Sequence, residues 1–179
     1  MLYQLKNGQC VLIRPLQTED AEAMIYLIQT ADCETPFLAR NPGEFNVTVE
    51  NEKKIIANAL SNHDAALFAA EYHGQIVGHC SVALVRSRQR FRHRAEVAFV
   101  LLKDYWNLGI GGKMMQTCLD WCRDHSVNQI ELTVVTQNER ALNMYKSFGF
   151  GFEICGTVPH ALCYPDGSFA DEYMMIKQL

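Results

Sequence analysis

Several absences narrow this chain first. No apolar run approaches the roughly 18 residues that a membrane-spanning helix needs, so no membrane role is expected. The first residues show no charged-then-apolar signal pattern, which predicts a cytoplasmic location. Basic residues are not in excess: 16 Lys and Arg stand against 20 Asp and Glu, for a net charge of −4. Nucleic-acid binders usually carry a basic domain, so no nucleic-acid partner is expected. There is no Cys-x-x-Cys among the seven cysteines. Cys118 and Cys122 lie four apart on a predicted helix, but no histidine accompanies them at metal-ligand spacing. The expectation is reduced, mostly buried thiols and no metal. A Walker A loop is absent too, and a dinucleotide fingerprint would need a third glycine where Met114 stands. What remains is 179 residues with 49% hydrophobic and 20% charged side chains, the balance of one globular domain, taken as 1–179.

The punctuation predicts an alternating order. Cys10–Arg14 reads as a strand ended by Pro15, and Thr18-Glu19-Asp20 open a helix to about Thr30. Residues 31–48 are irregular, with Pro36, Pro42 and Gly43. Thr48–Leu60 is a second helix. Ala66–Tyr72 and Gln75–Val85 form a hairpin around His73-Gly74, and Arg94–Leu102 is a fourth strand. A third helix runs to about His125. Then come strand Gln129–Val135, helix Asn138–Phe148 with Gly149 as its left-handed stop, and strands Phe152–Val158 and Glu172–Lys177. The fold class is mixed α/β (α+β): a mostly antiparallel sheet of about seven strands flanked by four helices.

Chemistry concentrates in two stretches. The first, Lys103 to Lys113, carries Gly109, Gly111 and Gly112 between a strand and a helix. Glycine lets the backbone turn tightly, and the first N–H groups of a helix lack partners at the positive end of its dipole. Such a loop suits a phosphate, although a plain strand-to-helix turn would look the same. The second, Asn138 to Phe150, places Asn138 and Tyr145 seven residues apart, on one helix face, with Leu142 and Phe148 as packing neighbours.

Together these stretches resemble the GNAT superfamily of coenzyme A-dependent N-acetyltransferases. Trp106-Asn107-Leu108-Gly109-Ile110-Gly111 is similar to that family's Q/R-x-x-G-x-G/A loop. Asn138…Ala141…Tyr145…Gly149-Phe150 is similar to its N-x-x-A-x-x-x-Y-x-x-x-G-F, and the element order agrees from residue 10 to 178. Trp106 departs from the pattern, which has Arg or Gln there, so one side-chain contact to phosphate is expected to be lost. The resemblance implies splayed central strands, with acetyl-CoA as co-substrate in a wedge beside the fourth strand. It implies pantetheine contacts from the backbone near Val100, Leu101 and Leu102. The pyrophosphate would sit on N–H groups of Asn107, Leu108, Gly109, Ile110, Gly111 and Gly112, with a further contact from Asn138. The acceptor partner would be a primary amine, and homodimers are common in the family. Tyr145 would be the general acid for the departing thiol, and Glu96 the candidate base, with Glu131 or a water relay as alternatives.

Two features stand outside those motifs. Arg86, Arg88, Arg90, Arg92 and Arg94 alternate, so those in extended chain share a face. A hairpin tip near Gln89–Phe91 is expected, with the arginines either solvated or meeting an acidic acceptor. Arg94 and Glu96 share parity and are expected to pair. The loop Ala31–Val47 and the segment His160–Tyr164 are expected to form the acceptor pocket. The runner-up functions are a non-catalytic acyl-CoA-binding regulatory module and a binder of RNA or protein tails.

Overall fold

The computed structural model describes every residue except Phe148. Its eight strands form one sheet in the order β1-β2-β3-β4-β5-β6-β8-β7. In chain order the elements are β1 (Leu2–Gln4), β2 (Cys10–Pro15), α1 (Ala21–Glu34), α2 (Val49–Leu60), β3 (Ala65–Tyr72), β4 (Gln75–Leu84), β5 (Arg94–Leu101), α3 (Ile110–Asp124), β6 (Gln129–Val135), α4 (Glu139–Lys146), β7 (Glu153–Cys163) and β8 (Phe169–Gln178). Four helices flank the sheet as expected. The strand beyond the expected seven is β1, three residues paired to β2. Its Tyr3 hydroxyl meets Thr117 Oγ1 of α3 at 3.3 Å, which docks it onto the core.

Local chemistry accounts for most boundaries. Thr48 caps α2, its hydroxyl accepting from the Asn51 N–H at 3.3 Å. His73 and Gly74 both have positive φ, 51° and 77°, the two-residue turn whose twist suits a hairpin. Helix α1 buries Met24, Leu27 and Ala31, spaced to face the sheet. It runs four residues past the expected end because tertiary contacts hold its last turn. Arg40 binds Asp32, and the Glu34 carboxylate accepts from the Lys103 N–H at 2.7 Å. Helix α4 ends earlier than expected: Ser147, at φ −55° and ψ 150°, leaves the helix before Gly149 is reached, so Gly149 is not its stop. The expected packing residue Phe148 lies outside the described residues. Strands β7 and β8 reach well beyond their expected ends, to Cys163 and back to Phe169.

The helices pack in pairs. One cluster joins α3 and α4 to one sheet face through Met114, Met115, Cys118, Leu142 and Tyr145. The other joins α1 and α2 to the opposite face through Met24, Leu27, Ile56 and Ala69. Among the described residues no helix is long and apolar enough to cross a membrane.

The arginine stretch is a hairpin tip, with a short 3-10 turn at Gln89–Phe91. Arg92 pairs with Asp64 at 3.0 Å, and the Arg86 guanidinium lies 5.0 Å from the Phe91 ring centre. Arg94 does not pair with Glu96. It reaches across to β6 and binds Glu131 with both ends of its fork. The bidentate geometry of Glu131 wins over the carboxylate two residues along the same strand. This tip adjoins Arg94, at the start of β5, while the glycine loop follows its end.

Gly78 fixes how closely β4, β5 and α3 approach. A Cβ there would lie 2.9 Å from Leu101 Cδ1, 3.0 Å from the Val100 carbonyl oxygen and 3.3 Å from Met114 Cε. The backbone oxygen cannot step aside, so Gly78→Ala is expected to cost about 1–3 kcal/mol. Urea unfolding would show a lower midpoint with an unchanged slope; an unchanged midpoint would mean that the strands yield freely.

Candidate active site

Hydrogen-bond parity along β5 shapes the site. Val85 N–H donates to the Arg94 carbonyl and Leu102 N–H to the Val77 carbonyl, at 3.1 and 3.0 Å. With the antiparallel register between them unbroken, the even-numbered residues of β5 turn their peptide groups to β4, and the odd-numbered ones turn theirs to β6. The parallel ladder from β5 to β6 has only three rungs, Arg94 to Gln129, Ala95 to Ile130 and Glu96 to Glu131. Beyond it the strands part. The peptide groups of Phe99 and Leu101 are thereby turned into a wedge whose other wall is β6.

This corrects two expected backbone contacts. Val100 is a β4-facing position, and Leu102 spends its N–H on Val77 and its carbonyl on the N–H of Tyr105. The Leu101 peptide group does turn to the wedge, though its carbonyl accepts from Trp106 Nε1 at 2.7 Å. Phe99, which sequence reasoning missed, faces the wedge. A period of two along the strand was the available signal, but only the pairing partner fixes which parity is free.

The glycine loop stands at the wedge mouth. Asn107 and Gly109 have φ of 62° and 92°, conformations that asparagine tolerates and glycine adopts without strain. Gly109 is the N-cap of α3 and offers no capping side chain. The N–H groups of Ile110, Gly111 and Gly112 therefore have no side-chain competitor and point along the positive end of a 15-residue helix. Asn107 and Leu108 complete the turn. Across the wedge, Asn138 N–H donates to the Val135 carbonyl at 2.9 Å, placing this side chain at the end of β6. Its Oδ1 accepts from the Ala141 N–H at 3.3 Å and caps α4, which leaves its amide NH₂ for another partner.

Tyr145 lies on the α4 face turned to the sheet, only 7% exposed. Its ring centre is 6.4 Å from that of Phe99 and 5.9 Å from that of Phe152. The phenol therefore sits beside a wedge-lining residue. Burial pushes its pKa up to about 12.

The two candidate bases differ in surroundings. The Arg94 guanidinium holds the Glu131 carboxyl below its usual range, so Glu131 is a poor proton acceptor. Glu96 is exposed, on the last rung before the strands part, and Ala98 beside it on that face is exposed as well. Helices α1 and α2 leave this part of the sheet uncovered.

A cleft of about 380 Å³ opens between the end of α1 and the end of β7, lined by Asp32, Glu34, Pro36, Arg40, Leu162 and Tyr164. The structure brings the two expected pocket segments together here: the Tyr164 hydroxyl donates to the Pro36 carbonyl at 3.1 Å. Glu34 ties the cleft to the end of β5 through Lys103. His160 does not line it; its ring stacks on Phe169 at 4.6 Å.

Known proteins share this fold. Residues 22–150 match the profile of the Acetyltransferase (GNAT) family. The L-amino acid N-acetyltransferase AaaT of Escherichia coli (strain K12) is 31% identical over 105 residues, 58% of this chain and 62% of that protein. The chain thus spans less than two thirds of that relative's length. The crystal structure of a GNAT acetyltransferase from Streptococcus pneumoniae superposes with a TM-score of 0.86 at 26% identity, covering 94% of this chain and 99% of that one. The structure of yncA from Salmonella typhimurium, with its cofactor acetyl-CoA, superposes at 0.80 and 19% identity, covering 94% of both chains.

A raised phenol pKa has a testable sign. The folded state keeps its proton while the unfolded chain, near pKa 10, has lost it. The Tyr145 contribution to stability is therefore intact below pH 10 and is lost as the pH rises from 10 toward 12. Difference titration at 295 nm between wild type and Tyr145→Phe should place this ionisation near pH 12. A midpoint near 10 would mean an exposed phenol.

Proposed function

The chain belongs to the GNAT acetyltransferase family, and we propose that it moves an acetyl group from acetyl-CoA to a primary amine by direct attack within a ternary complex. The observation that carries this is the three-rung β5–β6 ladder, which opens between an uncapped helix N-terminus and a buried phenol. The pantetheine arm is extended and rich in amides, so the Phe99 carbonyl and the Leu101 N–H, both turned into the wedge, suit it as a partial strand partner. The pyrophosphate suits the N–H groups from Asn107 to Gly112, and the Asn138 amide suits a further polar contact.

The residues divide the proton work. An alkylammonium has a pKa near 10.4 and must lose a proton before it attacks. Glu96, on the uncovered face beside the parting strands, is the base, directly or through water. The Phe99 N–H, turned into the wedge, meets the oxygen that becomes negative. Tyr145 stays protonated at any working pH and gives its proton to the departing sulfur. A thiol has a pKa near 8.5 in water, but the burial that raises the phenol raises a thiolate's proton affinity as well, which narrows the gap.

The acceptor enters from the α1 and α2 face, through the cleft bounded by Pro36 and Tyr164. Arg40 is held there by the buried Asp32 and keeps its Nη1 edge free, which favours a small acceptor bearing a carboxylate beside its amine. The relative from E. coli is named for L-amino acids, and this supports the same class.

Thiol release from acetyl-CoA, measured over a panel of amines and amino acids, tests the proposal. Tyr145→Phe should lower kcat by about 10²–10³ with coenzyme affinity unchanged. Glu96→Gln should lower kcat and flatten the acidic limb of the pH profile. Coenzyme binding without turnover on any acceptor would instead make the chain a non-catalytic acyl-CoA-binding module.

A further inference from the structure

Arg140 is held where no family motif assigns a role. It is an exposed residue in the first turn of α4, two positions after Asn138. Its guanidinium carbon lies 3.8 Å from the centre of the Trp106 ring, within stacking distance of the indole face. Its Nη1 donates to Asn107 Oδ1 at 3.2 Å. Trp106 is in turn fixed by its bond to the Leu101 carbonyl, and Asn107 by its left-handed backbone. The arginine is thus laid over the first residues of the glycine loop by two separate contacts.

Those contacts orient the charge without neutralising it. An aromatic face and an amide oxygen are its partners, and neither is a carboxylate. With Nη1 turned to Asn107, the stacked guanidinium keeps its in-plane Nε–Nη2 edge for a partner, and that edge matches phosphate oxygens in pairs. The other cation at this end of the helix, Lys113, has its ammonium 5.3 Å from the Tyr3 ring, on the β1 side. Trp106 contributes no charge of its own. The loop's backbone N–H groups supply only partial charges, whereas a pyrophosphate or a 3′-phosphate brings full ones.

We propose that Arg140 is the phosphate-binding side chain of the coenzyme site, delivered from α4 and pre-oriented by Trp106. This rests on the acetyl-CoA reading above and adds the residue that supplies its missing positive charge. Trp106 then replaces a direct contact with an indirect one: it binds no phosphate but holds the group that does. Most of the ordering of a long, flexible side chain is completed before the ligand arrives, which reduces what binding must spend.

Calorimetric titration of coenzyme A into wild type, Arg140→Gln and Arg140→Lys, at about 0.05 and 0.5 M salt, tests this. Arg140→Gln is expected to weaken binding about tenfold or more at low salt. The deficit should shrink to about twofold at high salt, because the lost contact is one between charges. Arg140→Lys should recover part of the affinity. Repeating the low-salt series with 3′-dephospho-coenzyme A separates the sources: the deficit vanishes if the 3′-phosphate is the partner and persists if the pyrophosphate is. A purely structural Arg140 would give a deficit equal at both salts and reproduced by Asn107→Ala, and that overturns the proposal. So does Arg140→Gln binding within twofold of wild type at low salt. If wild type itself fails to bind coenzyme A, it is the acetyl-CoA reading that falls, a result distinct from an indifferent Arg140→Gln.

Discussion

The interruption of one β-ladder is the constraint from which the site follows. A peptide group inside a protein must find a hydrogen-bond partner, and leaving it without one is costly. β5 and β6 pair over three rungs and then separate, so the next odd-numbered peptide groups of β5 have no strand opposite them. Water can serve, but an extended ligand with its own amides serves better. The interruption also explains why the flanking elements sit where they do. Helix α3 must leave the end of one diverging strand and α4 must follow the other. Their N-terminal ends, with the glycine loop and Asn138, therefore stand on either side of the opening.

The two faces of the sheet then take different tasks. On the α3 and α4 face the rings of Phe99, Tyr145 and Phe152 exclude water and keep the phenol neutral. On the other face α1 and α2 cover β3 and β4 but leave Glu96 and Ala98 open. A phenol is thus kept dry and a carboxylate kept wet, the separation of environments that the proposed acid–base chemistry needs. The arginine hairpin belongs to neither. It adjoins the far end of β5 from the glycine loop, and its tip is tied locally by Phe91 and Asp64. Its alternation is accounted for as a charged strand connection, and none of its arginines lines the cleft between α1 and β7.

Much of this was legible in the residues. The glycine loop, the spacing of Asn138 and Tyr145, and the order of elements depend on local rules that short stretches carry. The misses share a different cause. β1 is three residues long and is held by Tyr3 docking on Thr117, 114 positions away. The last turn of α1 is held by Arg40 and Lys103, and no apolar period reports them. β7 is mostly exposed and contains Pro159, so it shows no alternation. Arg94 chose Glu131 over Glu96 because strand pairing, not strand parity, brought the fork and the carboxylate together. The same holds for the free backbone groups. That β5 would serve a ligand was expected, but that Phe99 rather than Val100 faces the wedge depends on which neighbour each peptide group already has.

The claim on which everything rests is that these turned-out groups hold the coenzyme. Residue-resolved amide hydrogen exchange, with and without saturating acetyl-CoA, tests it most directly. The Phe99 and Leu101 amides should exchange fast in the free protein and slow at least tenfold on binding. The Leu102 amide, already bonded to Val77, should be slow in both. Binding that leaves Phe99 and Leu101 exchange unchanged would contradict the wedge as the coenzyme's seat.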